Sequence, residues 1–118
     1  MSSAQPRPRE IAQHAAIFAA LGDQTRLALV GKLSKGMPQS ISELAKGSPL
    51  TRQAITKHLR VLEGARVVAS VRAGRESLYA LRPEPLKEIQ SYLERVSAQW
   101  NRALGNRALA RLKSFVED

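Results

Sequence analysis

The stretch Thr51-Arg52-Gln53-Ala54-Ile55-Thr56-Lys57-His58-Leu59-Arg60-Val61-Leu62-Glu63 decides how this chain is read. Ile55, Leu59 and Leu62 recur at i, i+4 and i+7, the spacing of one face of an α-helix. Thr51 suits the N-cap, because its hydroxyl oxygen can accept a hydrogen bond from a free amide of the first turn. Gly64 suits the end of the helix. A helix over 52–63 is therefore predicted, with an apolar back. Arg52, Gln53, Thr56, Lys57 and Arg60 occupy the other side. A face that is merely solvated more usually carries Glu–Lys pairs at i, i+4. Here the only acid is Glu63, at the end.

Upstream, Ser40-Ile41-Ser42-Glu43 reads as a capping box, with Ser40 at the N-cap and Glu43 three residues on. It opens a short helix from Ile41 to about Lys46, with Leu44 and Ala45 inward, and Gly47-Ser48-Pro49-Leu50 forms a tight turn. Downstream the period changes. Residues 67–72 are rich enough in Val for a strand, Ala73-Gly74-Arg75 makes a turn, and Glu76 to Leu81 returns. Gly74 is free to take a positive φ there. Two short helices joined by a tight turn and followed by a basic hairpin describe a winged helix-turn-helix. In that arrangement a helix enters the DNA major groove while its back face holds it to the core. Gln and Thr can read base edges, and Lys and Arg meet guanine edges or phosphates. Arg72 and Arg75, near the hairpin tip, are placed to straddle a backbone or enter a minor groove.

Further outward, Ile11, Ala15 and Phe18 recur at helical spacing between Arg9 and Leu21, flanked by Ala12, Ala16 and Ala19. Gly22 is a stop and Asp23 an N-cap for a second helix to about Ser34, expected to bury Leu27, Val30 and Leu33. Gly36-Met37-Pro38 breaks it. Pro83 and Pro85 open a last helix whose Leu86, Ile89, Leu93, Val96, Trp100 and Ala103 form a heptad-like seam. Gly105-Asn106 is where it would bend or break before Leu109, Leu112, Phe115 and Val116 resume an apolar face. The expected organisation is a disordered tail over 1–8, a DNA-binding domain over 9–82, and C-terminal dimerisation helices over 83–118. The fold class is mainly α with a small β-hairpin.

The charge follows the same map. The 118 residues carry 19 Lys and Arg against 10 Asp and Glu, a formal net charge of +9. Residues 51–82 hold seven basic and two acidic residues, net +5, so more than half the excess lies in about a quarter of the chain. That suits a polyanionic partner. The absence of Cys excludes a disulfide-stapled domain, a thiolate metal site and a Cys nucleophile. No apolar run approaches the roughly 20 residues of a membrane span, and Met1–Glu10 lacks the apolar core of a signal peptide. A cytoplasmic protein is expected.

Three blocks make a resemblance specific. Ala20-Leu21-Gly22-Asp23-Gln24-Thr25-Arg26-Leu27, Ile41-Ser42-Glu43-Leu44-Ala45 and Thr51 to Leu62 resemble the signatures of the ArsR/SmtB family of bacterial transcriptional repressors. The hairpin with Arg72-Ala73-Gly74-Arg75-Glu76-Ser77-Leu78-Tyr79 is similar to the family wing. The likeness covers about residues 15–82. Gln24 stands where the family usually has Pro, and Gly64-Ala65-Arg66 replaces a usual Ala-Gly-Leu. The resemblance implies a homodimer, formed by the first and last helices, that binds a pseudo-palindromic operator near its own promoter. On that reading Ile11, Phe18, Leu86, Ile89, Leu93, Val96 and Trp100 lie at the dimer interface. Thr51, Arg52, Gln53, Thr56, Lys57, Arg60, Arg72 and Arg75 contact double-stranded DNA.

The resemblance does not bring a metal site. Family sensors use Cys pairs in the third helix or Asp and His in the last. This chain has no Cys, and its last helix offers Glu84, Glu88 and Glu94 without His. Zinc wants His or Cys. His58, beside Leu59, reads as a half-buried packing residue or phosphate contact, and His14 as a dimer-helix residue. A catalytic triad would need one of these two as its base, and no Gly-rich phosphate loop is present. No cofactor, metal or catalytic residue is expected. Tyr92, Trp100 and Phe18 read as interface core rather than the lining of an effector pocket, although a small-molecule effector remains a candidate partner. The competing readings are an RNA-binding winged helix and a protein-interaction module. RNA offers no readable major groove, and the reading face has no aromatic for base stacking. The local charge argues against the interaction module.

Overall fold

The three central helices begin where the sequence supplies a cap. In a computed structural model describing residues 6–105 and 107–117, α1 spans Pro8–Leu21, α2 Gln24–Leu33, α3 Ile41–Ala45 and α4 Arg52–Gly64. Asp23 accepts from the N–H groups of Thr25 and Arg26 at 2.9 and 3.1 Å and starts α2. Ser40 and Glu43 close their capping box reciprocally, at 3.2 and 2.9 Å, and start α3. The Thr51 hydroxyl accepts from Ala54 N–H at 3.1 Å and starts α4. Each satisfies amides that a helix start leaves without partners. Pro8 opens α1, where its missing N–H is no loss.

The wing is a hairpin of β2, Val68–Ala73, and β3, Glu76–Leu81. Ala73 pairs with Glu76, which leaves Gly74-Arg75 as a two-residue loop. Gly74 has φ +63°, the first-position glycine that such a loop favours. A two-residue strand, β1 (Gln39–Ser40), pairs antiparallel with β3 and makes the sheet three-stranded in the order β1-β3-β2. Two residues show no periodicity, so the sequence gives no sign of β1. The pairing seats the start of α3 against the wing.

Leu33, Leu44, Ile55, Leu59, Leu62, Val67 and Val68 form the fully buried centre, where α2, α3, α4 and β2 meet. Three expectations shift. In α1 the buried residues are His14, Ile17 and Ala20, not the Ile11–Ala15–Phe18 stripe; Phe18 is half-buried against the core and Ile11 is exposed. This helix is apolar nearly all round, so periodicity alone could not choose its inner face. In α2, Leu29 joins Leu33 in the core while Leu27, on the opposite side, is 55% exposed. At the end of α4, Gly64 is still helical, and the left-handed residue is Arg66, at φ +64°.

Two helices follow, α5 over Pro83–Gly105 and α6 over Arg107–Glu117. Asn106, which stands between them and where a bend or break was expected, lies outside the described residues. In α5 only Pro85 and Ile89 are buried. Beyond them the helix leaves the core with Leu93, Val96 and Trp100 exposed. Residues 1–5 of the expected tail also lie outside the described residues.

Candidate nucleic-acid interface

The buried residues Ile55, Leu59 and Leu62 fix the rotation of α4. At 100° per residue, Gln53, Lys57 and Arg60 point away from that anchor, and Arg52 and Thr56 flank them. Arg52, Gln53, Lys57 and Arg60 are exposed and Thr56 is half-buried. With Ile41 of α3 they line a shallow depression of about 330 Å³. The structure therefore brings the five residues of the front face together on one surface.

Two hydroxyls carry prior commitments that the spacing did not reveal. Thr56 donates to the carbonyl of Arg52 at 2.8 Å, a bond to its own helix, so its oxygen is left to accept. Thr51 is occupied as the cap of α4 and retains a proton to donate outward. The wing is held at a fixed place beside α4. Ser70 donates to Glu63 Oε2 at 2.9 Å, and Val67 N–H donates to Leu62 O at 2.9 Å. Arg72 and Arg75 are both exposed near the hairpin tip.

The basic residues of this face carry charge that is not spent on internal pairs. Among the described residues, Arg52, Lys57, Arg60, Arg72 and Arg75 form no ion pair. Other basic residues are used within the fold. Lys32 donates to the carbonyls of Leu44 and Lys46, at 2.9 and 3.3 Å, and closes the end of α3. Arg82 faces Glu84 at 3.8 Å.

One cluster was not visible in the sequence. Arg26 donates through Nε to Ala20 O at 2.6 Å and through Nη2 to Ala19 O at 3.5 Å. Its Nη1 lies 3.2 Å from Nδ1 of His58 on α4. Asp23 Oδ2 is 3.8 Å from the same ring nitrogen. The N–H of Arg26 holds the Asp23 carboxyl below its usual 3.8, opposed by desolvation; the Arg26 charge, the Thr25 N–H and His58 also lower it. The resemblance blocks contained all three residues, but only the fold brings together Arg26 and His58, 32 positions apart.

The residues assigned to a subunit interface divide. Ile11, Leu93, Val96 and Trp100 are exposed, with Trp100 at 54%. Phe18 and Leu86 are half-buried against the core. Ile89, at 7%, belongs to the chain's own core, although it also borders the open groove lined by Leu86 and Leu93. Tyr92 turns inward onto His14, ring centres 5.2 Å apart. His14 is thus a buried contact of α1 with α5. Among the described residues no group of three or more His, Cys, Asp or Glu is placed to hold a metal ion. No helix there is long and apolar enough to cross a membrane.

Comparison with known proteins agrees with this geometry. A family described as a helix-turn-helix domain matches residues 21–71, from the end of α1 into the wing. The chain is 41% identical over 85 residues to the HTH-type transcriptional regulator Rv2034 of Mycobacterium tuberculosis, covering 72% of this chain and 76% of that one. It is 34% identical over 85 residues to the HTH-type transcriptional repressor SmtB of the same species, covering 71% and 62%. A solved ArsR-like transcriptional regulator from Rhodococcus sp. RHA1 superposes with a TM-score of 0.71 at 39% identity, over 89% of this chain and 93% of that one. With its capped α2–α4 core, its wing and these relatives, the chain belongs to the ArsR/SmtB family of winged helix-turn-helix transcriptional regulators, DNA-binding proteins and not enzymes.

Proposed function

We propose that this regulator is a cytoplasmic homodimeric repressor that binds a pseudo-palindromic operator. The observation that carries the reading is the two-sided α4. Its back is locked into the core by Ile55, Leu59 and Leu62, and its front presents Arg52, Gln53, Thr56, Lys57 and Arg60 without a counter-charge among the described residues. Gln53 and Thr56 read base edges. Lys57 and Arg60 reach guanine edges or phosphates, and Thr51, Arg52, Arg72 and Arg75 hold the phosphate backbone. A second copy covers Ile11, Leu93, Val96 and Trp100, with Phe18 and Leu86 at the margin. The two α4 helices then enter major grooves about one turn of DNA apart, ~34 Å. A small-molecule effector, if the regulator uses one, acts on this dimer.

The test is selection of bound fragments from genomic DNA, repeated with candidate small molecules. Enrichment of an inverted repeat upstream of the regulator's own gene, overlapping its promoter, supports the reading. Enrichment of unrelated fragments in proportion to length overturns it. A compound that abolishes the enrichment identifies the effector class.

A further inference from the structure

Arg26 and His58 form a joint between the end of α1, the start of α2 and the middle of α4. A guanidinium only donates, so the 3.2 Å approach of Nη1 is a hydrogen bond when Nδ1 of His58 accepts. The neutral ring then carries its proton on Nε2. The same guanidinium holds the last carbonyls of α1, at Ala19 and Ala20. His58 lies next to Lys57 on α4, and its side chain is 24% exposed. We propose that Arg26 and His58 are positioning residues for operator recognition: the neutral His58 ring, held by Arg26, sets the pose of α4, and protonation of that ring releases it.

The groups around the ring give the sign. Protonation turns Nδ1 into a donor, so the Arg26 contact becomes donor against donor and cation against cation. Asp23 Oδ2, 3.8 Å away, becomes the counter-charge. That carboxylate already accepts from Thr25 and Arg26 N–H as the cap of α2. The ring is therefore drawn from the α1–Arg26 side toward the α2 cap, and α4 moves with it. α1 presents only carbonyls to this joint. On α4 the residues one turn either side, Ala54 and Leu62, are uncharged, and Lys57 is exposed. No other charged side chain among the described residues comes within ion-pair distance of the ring.

The inference rests on α4 as the reading helix, and the experiment separates the two. A duplex selected by the protein from random sequence and a scrambled duplex of equal length are titrated from pH 8 to pH 5.5 at fixed ionic strength. The readout is the ratio of the two affinities, which cancels charge added to the helix as a whole. In the wild type the ratio falls about five- to tenfold with acid, the worth of one hydrogen bond. His58→Asn keeps an acceptor and does not titrate, so its ratio stays flat. His58→Leu has the low ratio at every pH. A ratio that is flat in the wild type, or that falls equally in His58→Asn, overturns the proposal. So does equal strengthening of both duplexes with acid, which would make His58 a phosphate contact. Failure to select any duplex at any pH overturns the reading of α4 itself. Imidazole nitrogen NMR of the free protein adds a check independent of DNA: an Nδ1–H tautomer at pH 8 overturns the joint.

Discussion

Arg66 takes the left-handed position that was expected to fall to Gly64 at the end of α4. At φ +64° its Cβ crowds the backbone, and only glycine is free of that penalty. Gly64, two positions earlier, is spent inside the helix. Arg66→Gly should therefore stabilise the chain by up to ~1 kcal/mol, partly offset by the freer unfolded chain. Urea unfolding of the variant reads this as a raised midpoint at unchanged slope. Asp23 makes the opposite kind of prediction. Its native carboxyl titrates below the ordinary 3.8, so it stabilises the fold above that value, and the contribution is lost as pH falls through the native value. Between pH 5 and pH 3 the melting temperature should fall further in the wild type than in Asp23→Asn, which caps α2 without titrating. Equal falls would show that the carboxylate is not the titrating group. Caps such as Asp23, Ser40 and Thr51 were legible because their chemistry is complete within three residues. The twist at Arg66 was not, since a left-handed backbone leaves no mark on a residue that normally avoids it.

On the proposed reading the recognition helix and the wing divide the work of binding, and they should respond differently to mutation. Gln53 is exposed opposite the buried face of α4, so Gln53→Ala should relax sequence preference by ~1–3 kcal/mol at one base pair. Arg75, in the hairpin loop, should act on every duplex alike. Arg75→Ala should weaken all binding and reduce the slope of log affinity against log salt by about one. Competition binding over a salt series checks both, and two variants with identical profiles would refute the division. The front of α4 was readable in advance because its back is a clean i, i+4, i+7 stripe. The inner face of α1 was not, because alanines surround it and the true stripe includes a histidine. The Arg26–His58 joint escaped for a different reason. It depends on the approach of two helices, and nothing local in either segment requires it.

As a whole the molecule is longer than its length warrants. Its radius of gyration is 19.0 Å and it extends 61 Å along one axis, where a compact chain of this size has a radius near ~13 Å. The extension accompanies a C-terminal region that exposes Leu93, Val96, Trp100, Leu112, Val116 and Phe115, the last at 81%. Sedimentation should therefore give a species of twice 13.0 kDa. Leu93→Glu should shift it toward the monomer by placing a charge in the contact. A wild-type monomer at micromolar concentration would contradict the dimer. The sheet order has a separate bearing on how the protein keeps in solution. With β1 on one side of β3, strand β2 forms the opposite edge of the sheet, and among the described residues its outer amides and carbonyls have no strand to pair with. Such an edge templates stacking of one copy on the next, and arginine is among the side chains that blunt it. Val71 is exposed on this strand beside Arg72. Replacing Arg72 with an apolar residue should thus do more than loosen DNA. It should turn the wing into a nucleus for turbidity on storage, and bound operator duplex, by covering that edge, should act as the preservative.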